Sequence, residues 1–342
     1  MKAIMKTKPE QGIEVLDIPV PEVRADEVLI KVRAASICGS DLGIYKYTKA
    51  YSKMTLPVVM GHEFSGEIIE TGKDVADFKV GDRVLSESVK ACGVCRYCKE
   101  GRSNLCEEST LFGIHTAGGF AEYVSVPHKL LHRIPENMSY EDAALVEPLS
   151  NALHFVRDIT PFRINDFVVV QGCGPIGLYS AQLFKLGGAE VLMTGLEADK
   201  TRFEIAKKLG IETVNIQAQD LEKIVMERTN GTGADIAFVA VGAPPAVKQA
   251  TQIVRKRGRI TVVGIFGQEV LIDMTWLVRR ELEIKGAYDA KPVNFPQSID
   301  LISRGQVDVN SVLTHRFKLD DAEEAFQVAL NMTGGKIQFH PN

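Results

Sequence analysis

Four cysteines lie close together in the run Cys92-Gly-Val-Cys95-Arg-Tyr-Cys98, followed by Cys106. Two-residue gaps let successive sulfurs fold around one ion, and Gly93 gives the tight backbone this needs. Zinc in structural sites takes four ligands, usually tetrahedral, and favours thiolates. Four thiolates leave no open coordination position, so this cluster is expected to stabilise and not to react. An iron–sulfur cluster, a disulfide pair and free thiols are the competing readings. Lys99 and Arg102 could balance the charge of such a site or simply form a solvated face.

A second set of ligand-type residues is spread more widely. Cys38-Gly39-Ser40-Asp41 follows an alternating apolar stretch, and Gly61-His62-Glu63 comes later. A cysteine, a histidine and a carboxylate can supply three zinc ligands and keep the fourth position open for a reacting molecule. Taken singly, each has a plainer reading: a lone cysteine is usually packing, and a lone histidine a satisfied polar residue. A third set is Gly172-Cys173-Gly174-Pro175-Ile176-Gly177. This G-x-G-x-x-G follows an apolar run, Phe167–Gln171, and opens a helical stretch. In that context it reads as a dinucleotide fingerprint: a tight turn, a close backbone approach to pyrophosphate, and helix–strand contact. The helix N-terminus favours phosphate charge. An acidic residue about twenty positions on should meet the adenine ribose. Glu197 is the candidate, because Gly195 ends the next apolar run; Arg202 could instead serve a 2′-phosphate. The balance favours NAD, with NADP possible. Cys173 reads as a small buried residue.

These residues need elements to position them. Val28–Ala34 alternates as a half-buried strand does, and Val80–Leu85 and Gly118–Val124 read as turns feeding strands. From Ala143–Ile159, expected as helix, the pattern changes. Strands at Phe167–Gln171, Val191–Thr194, Ile236–Val241 and Ile260–Val263 alternate with helices at Ile176–Leu186, Ala198–Leu209 and Ala246–Arg255. That order predicts a parallel α/β sheet. Helices at Phe295–Ser303 and near Asp321–Ala329, then a strand at Lys336–Phe339, close the sequence.

Bulk properties agree with an ordinary globular chain. It has 342 residues, 45% hydrophobic and 25% charged, enough for about two domains. A net charge of −4 and a pI near 6.0 give no basic face for a nucleic acid. No apolar run approaches the ~20 residues of a membrane helix, and no secretory apolar segment opens the sequence. A cytoplasmic location without a membrane partner is expected.

Taken together, the motifs resemble those of the zinc-containing medium-chain dehydrogenases. C-G-S-D, G-H-E, G-D-R-V (Gly81–Val84), the four-cysteine lobe, G-G-F-A-E-Y (Gly118–Tyr123) and E-P-L-S (Glu147–Ser150) occur in that family's order over essentially the whole chain. The nearest branch looks like the sorbitol (polyol) and L-threonine 3-dehydrogenases. G-H-E, E-P-L-S and Thr314-His-Arg-Phe317 lean to the polyol side. The resemblance implies an α/β protein in two domains. One is a GroES-like β-barrel catalytic domain, residues 1–150 and 291–342; the other is a Rossmann NAD-binding domain with a doubly wound parallel sheet, residues 151–290. It implies two zinc ions: Cys38 and His62 bind the catalytic one, with Glu63 as a third ligand or alternating with a water and Glu147 at the site, approaching the metal or its bound water, and Cys92, Cys95, Cys98 and Cys106 hold the structural one. Asp41 would accept a hydrogen bond from the distal nitrogen of His62, and Ser40 would pass the alcohol proton to solvent. Gly172, Gly174, Pro175, Ile176 and Gly177 would hold the cofactor phosphates; Val241 and the segment Val263-Gly264-Ile265 would flank the nicotinamide. The implied reaction is hydride transfer between a secondary alcohol (a polyol, sugar alcohol or sugar acid) and NAD. L-threonine and polyol phosphates are alternative substrates, and a non-catalytic zinc- or nucleotide-binding homologue is the reading from a different class. A homo-oligomer, dimer or tetramer, is also implied. Two positions depart from the pattern. Gly43 stands where many relatives carry a relay histidine, and Asp289 stands where polyol dehydrogenases often carry an arginine.

Overall fold

The computed structural model describes residues 1–341, which divide into two compact units: Met1–Ser150 with Lys291 onward, and Asn151–Ala290. Each is described by itself.

The first unit is mainly antiparallel. Its central strand, Glu27–Ser36, pairs with Glu63–Thr71, with Tyr123–Pro127 and with the late strand Lys336–Phe339. Arg83–Ser86 and Leu131–Arg133 extend the seven-stranded sheet at one end and Leu313–Phe317 at the other. A three-stranded sheet joins Glu14–Asp17, Lys2–Lys6 and Val58–Val59. Both sheets contribute to one core: Ile4 from the small sheet packs in the same cluster as Val28, Ile30, Phe64, Phe120 and Phe339. The alternation of the central strand is what makes this possible, since period two puts every second residue on one face. Register carries the functional consequence. Ser36 lies opposite Glu63 on one side and opposite Gln338 on the other, so three distant stretches of sequence meet two residues from Cys38.

The second unit is a six-stranded, all-parallel sheet. Its strands are β1 (Phe167–Gln171), β2 (Glu190–Gly195), β3 (Glu212–Asn215), β4 (Ala234–Val239), β5 (Val254–Val262) and β6 (Glu283–Gly286), in the order β3-β2-β1-β4-β5-β6. This is the doubly wound order, with its switch point between β1 and β4. β1 is buried at every residue, as a strand covered on both faces must be.

Several sequence-based boundaries need correction. The helix expected over Ala143–Ile159 is two short helices, Tyr140–Ala144 and Val146–Leu153, followed by a π-helical turn at His154–Ile159. Thr160 closes that wide turn by donating its hydroxyl to the Phe155 carbonyl at 2.7 Å. The helix expected to reach Arg255 stops at Ile253. Val254 is extended and starts β5, and the Arg255 side chain is drawn to Asp235 of β4, Nε to Oδ1 2.7 Å. β4 ends at Val239, leaving Val241 beyond the strand. β3, β6 and the helices Leu221–Arg228 and Met274–Arg280 were not expected. β3 and β6 are only four residues long and mix charge with apolar residues, so neither shows a clean period.

Candidate active site and metal centres

Cys38 sits at the end of the central sheet strand and caps the short helix Gly39–Tyr45. The helix start holds Asp41 in place: its Oδ2 accepts the Cys38 amide at 2.8 Å. His62 and Glu63 arrive from the facing strand. Gly61 precedes them at φ +90°, and a side chain there would run into the Phe120 ring, so only glycine lets this turn deliver the histidine. As a result the ligand atoms of Cys38, His62 and Glu63 all lie within 4.8 Å of one another, with the histidine and carboxylate buried. Ser40 Oγ is 3.4 Å from His62 Nε2 and half-buried.

The expected hydrogen bond from the distal His62 nitrogen to Asp41 is not formed. His62 Nδ1 and Asp41 Oδ1 are 4.0 Å apart and neither has a hydrogen-bond partner. The carboxylate is on the predicted side of the ring, but its other oxygen is committed to the Cys38 amide, which sets its distance. Glu147, in the first turn of Val146–Leu153, is buried and outside the close group of three. It acts on that group by charge, pushing the Glu63 and Asp41 carboxyls upward.

Two residues that sequence reasoning passed over shape the site. Lys336 is buried on the late strand and donates to Glu63 Oε2 and, at 2.8 Å, to the Ile37 carbonyl. A lysine opening a strand with all four residues buried was the available signal, because buried lysines need a partner. Tyr51 is the other: its ring occupies the space that a side chain at Gly43 would enter.

The electrostatics are those of a site short of positive charge. Burial pushes Glu63 up to about 7 despite the pull of Lys336 and His62. Burial also raises Asp41. For His62, burial opposes the charged form, yet the neighbouring Cys38, Asp41 and Glu147 outweigh it and the imidazole rises well above its usual range. Lys336 is raised in the same way, with Glu63 and Cys38 overcoming burial. Glu63 Oε1 is buried without a hydrogen-bond partner. A thiol, an imidazole and a carboxylate converging with unspent lone pairs in a buried, acid-rich pocket fit a zinc ion, with one coordination position left open.

The four lobe cysteines fit a second zinc. Their sulfurs lie within 4.8 Å of one another. Cys95 and Cys98 are 3.5 Å apart, Cys92 and Cys98 4.0 Å. Tetrahedral thiolates at a Zn–S length of about 2.3 Å stand about 3.8 Å from each other, whereas a disulfide needs about 2.05 Å. All six cysteines are free. Amides of Cys92 and Cys95 point at sulfurs of Cys106 and Cys92, at 3.2 and 3.3 Å. Amide contacts, those from Cys98 foremost, draw the Cys95 thiol down to about 6, while burial pushes Cys98 up to about 12.

In the second unit, Gly172 (φ +104°) turns the chain out of β1, and Gly174 caps the helix Pro175–Leu186 with Pro175 at its first position. Any side chain at Gly177 would strike the Gly172 carbonyl, whereas one at Gly174 would meet nothing within 4 Å. The third glycine thus brings helix and turn together and the second leaves open room. Val241 packs beside Gly172, and Gly264 lies against the Val241 backbone, so the expected cofactor residues gather at the carboxyl ends of β1, β4 and β5. Glu197 is exposed, with Lys200 at 2.6 Å and the Asn215 amide at 2.7 Å. Arg202 donates to Asp199 at 3.1 Å, and Asp199 also accepts the Leu196 amide.

Comparison with known proteins decides the family. Residues 24–136 match the alcohol dehydrogenase GroES-like domain, and residues 175–304 match the zinc-binding dehydrogenase domain. D-arabitol-phosphate dehydrogenase of Enterococcus avium is 38% identical over 100% of this chain and 98% of its own length. The chain belongs to the zinc-dependent medium-chain dehydrogenases. Other members of this family are also close. L-threonine 3-dehydrogenase of Escherichia coli is 35% identical over 98% of both chains. The crystal structure of 2R,3R-butanediol dehydrogenase from Bacillus subtilis superposes with a TM-score of 0.91 at 34% identity, covering 100% of this chain and 99% of that one. As a medium-chain dehydrogenase the protein is an oxidoreductase of GroES-like plus Rossmann-like fold. Among the described residues no helix is long and apolar enough to cross a membrane.

Proposed function

We propose that this dehydrogenase oxidises a secondary alcohol carrying further hydroxyl groups, a polyol, sugar alcohol or sugar acid, with NAD. The reading rests on the convergence of Cys38, His62 and Glu63 in a buried, acid-rich pocket. Residues 1–150 and 291–342 form the catalytic domain in this reading, and residues 151–290 the NAD domain. Cys38, His62 and Glu63 hold the catalytic zinc, Glu147 tunes its pocket by charge, and the lobe cysteines hold a structural zinc. Bound zinc supplies Lewis acidity toward a hydroxyl, and bound NAD supplies the hydride acceptor. The chain's own residues position and deprotonate. Ser40, half-buried and beside His62, receives the substrate proton and hands it to solvent. Asp41 holds the Cys38 turn. Gly172 sets the turn, its own amide given to the Thr194 carbonyl at 3.0 Å; Pro175, which has no N–H, opens the helix, and the amides of Gly174, Ile176 and Gly177 face the pyrophosphate in this reading.

The pairing of Arg202 with Asp199 supports NAD over NADP, since that guanidinium is already engaged. Glu197 meets the ribose hydroxyls in this reading, exchanging its contacts with Lys200 and Asn215. Tyr51 in the space beside Gly43 supports a proton path that differs from the histidine relay of many relatives. A polyol phosphate is the favoured second reading, because the 38% relative is an arabitol-phosphate dehydrogenase. The enzyme is proposed to be cytoplasmic and to self-associate. β6 is an edge strand, and Ile265, Leu271, Met274 and Val278 are exposed; such a surface suits a second copy. A panel of polyols, polyol phosphates, sugar acids and L-threonine, read by NADH absorbance, tests the substrate. Turnover of threonine alone, or higher kcat/KM with NADP, would reject the assignment.

A further inference from the structure

We propose that the cleft beside the starts of β1 and β5 is a second anion site, separate from the dinucleotide turn, which takes a polyphosphate group. The cleft has a volume of about 410 Å³ and is lined by Arg163, Arg255, Arg257 and Arg259, with Asp166 as its acidic residue. The chain as a whole is acidic, with a net charge of −4, so this concentration of cations is local. Guanidinium groups gathered in one concave place repel each other until an anion joins them. Asp166 is turned to the backbone, its Oδ2 accepting the Arg163 amide at 2.8 Å. A chain of two or three phosphates spreads its charged oxygens over such a cleft, as one sulfate or carboxylate does not.

The arginine heads are fixed but not saturated. Arg255 gives Nε to Asp235 at 2.7 Å and Nη1 to the Lys256 carbonyl at 3.0 Å. Arg259 gives Nε to Glu283 at 2.9 Å and Nη1 to the Pro161 carbonyl at 3.0 Å. Arg257 meets Glu281 through Nε at 3.4 Å. Asp235, Glu281 and Glu283 offset part of the charge, but none of them lines the cleft. Each of the three arginines keeps Nη2 without a partner among the described residues, and the Arg163 guanidinium has none there at all. Such N–H groups make strong, charge-assisted bonds to phosphate oxygens.

The backbone is shaped to present them. β4 steps from Ala234 to Ile236 while β5 runs from Val254 to Arg259, so residues 255–258 stand outside the paired register. Arg257 adopts a left-handed φ of +59°, and a side chain at Gly258 would strike the Arg255 carbonyl. An arginine in that region is uncommon. The expected cofactor residues gather at the carboxyl ends of the strands. This cleft is at the amino ends, with the five buried residues of β1 between.

The test uses the full-length enzyme saturated with NADH, so that the dinucleotide turn is filled. Tripolyphosphate and ATP are titrated by calorimetry at low, constant ionic strength, with sulfate as the control for charge alone. Wild type should bind tripolyphosphate at least about tenfold more tightly than sulfate. Arg163→Ala removes a side chain without a partner, and Arg257→Gly suits the left-handed backbone. Together they should weaken tripolyphosphate at least about tenfold and leave turnover unchanged. If the double variant does not fold, Arg163→Ala alone should still weaken binding. Absence of binding to wild type, sulfate as tight as tripolyphosphate, or equal affinity in wild type and variant would overturn the proposal. ATP binding more tightly than tripolyphosphate, with the same dependence on the arginines, identifies the ligand as a nucleotide tail; equal affinities identify a free polyphosphate.

Discussion

At the scale of single residues, the site is a balance of buried charge. In the proposed metal site Cys38 provides the sulfur, so its loss would remove a ligand. Cys38→Ser is expected to bind one zinc per chain where the wild type binds two, and to lose more than about 100-fold in kcat/KM, beyond the cost of losing a mere supporting group. Metal analysis with steady-state kinetics checks both. That Cys38, His62 and Glu63 would converge was legible in the sequence, because their types and the surrounding motifs fit one ligand set, and their ligand atoms do lie together. Lys336 and Tyr51 were not legible. Their roles depend on register and on empty space beside a glycine, and neither leaves a mark in local sequence. The Asp41–His62 contact was anticipated in its partners but not in its length, because the Asp41 oxygen that might have reached the ring is placed by the other oxygen's bond to Cys38.

At the scale of elements, three local structures can be tested separately. The turn after β1 depends on close approach. Gly177→Val forces the helix from the Gly172 carbonyl, an overpacking cost on the order of 1–3 kcal/mol. NADH affinity, read by fluorescence titration, should fall at least about tenfold. The cysteine lobe is proposed to depend on metal. Cys106→Ser should lose the structural zinc and open the segment 92–106 to protease, since binding energy at such sites is folding energy. The third is the clamp between Leu313–Phe317 and the helix Tyr140–Ala144, where Arg316 reaches both Glu141 oxygens at 3.0 and 2.6 Å. Arg316 holds the Glu141 carboxyl below its usual 4.5. A depressed carboxyl stabilises the fold above its unfolded value, and this stability is lost as pH falls through the folded value. Both side chains are partly exposed, so Arg316→Ala should cost only about 0.5–1 kcal/mol at pH 7. The denaturation midpoints of variant and wild type should converge as pH falls through the folded value of Glu141, which lies below 4.5. Long apolar or clearly periodic elements such as β1 and Asn294–Ser303 were readable beforehand. Four-residue strands such as β3 were not, because their pairing comes from neighbours and not from their own pattern.

At the scale of the whole molecule, the two units differ in how the chain builds them. The second is continuous, with a core drawn from its own residues, among them Val169, Leu192, Val239 and Ile260. The first is assembled from both ends of the sequence, and Phe326, Ile337 and Phe339 from the late segment pack with Val28 and Phe64. A chain ending after residue 330 is therefore expected to keep the α/β unit resistant to protease and to lose the first unit's resistance. Limited proteolysis with mass spectrometry of the fragments reads this directly; equal loss from both units would show that the second cannot stand by itself.

The lysine on the late strand has a consequence for how the protein is made. A ribosome delivers Cys38, His62 and Glu63 long before Lys336, and the α/β unit is complete while the chain still lacks the strand Lys336–Phe339. Domains fold as they emerge, so the nascent first unit must wait with its central strand uncovered on one side and its acidic pocket without the ammonium. During that interval the ligands are present but the pocket is not. At the proposed metal site, loading would then wait for the strand Lys336–Phe339, and a chain without that strand would offer no finished site for the wrong ion to occupy.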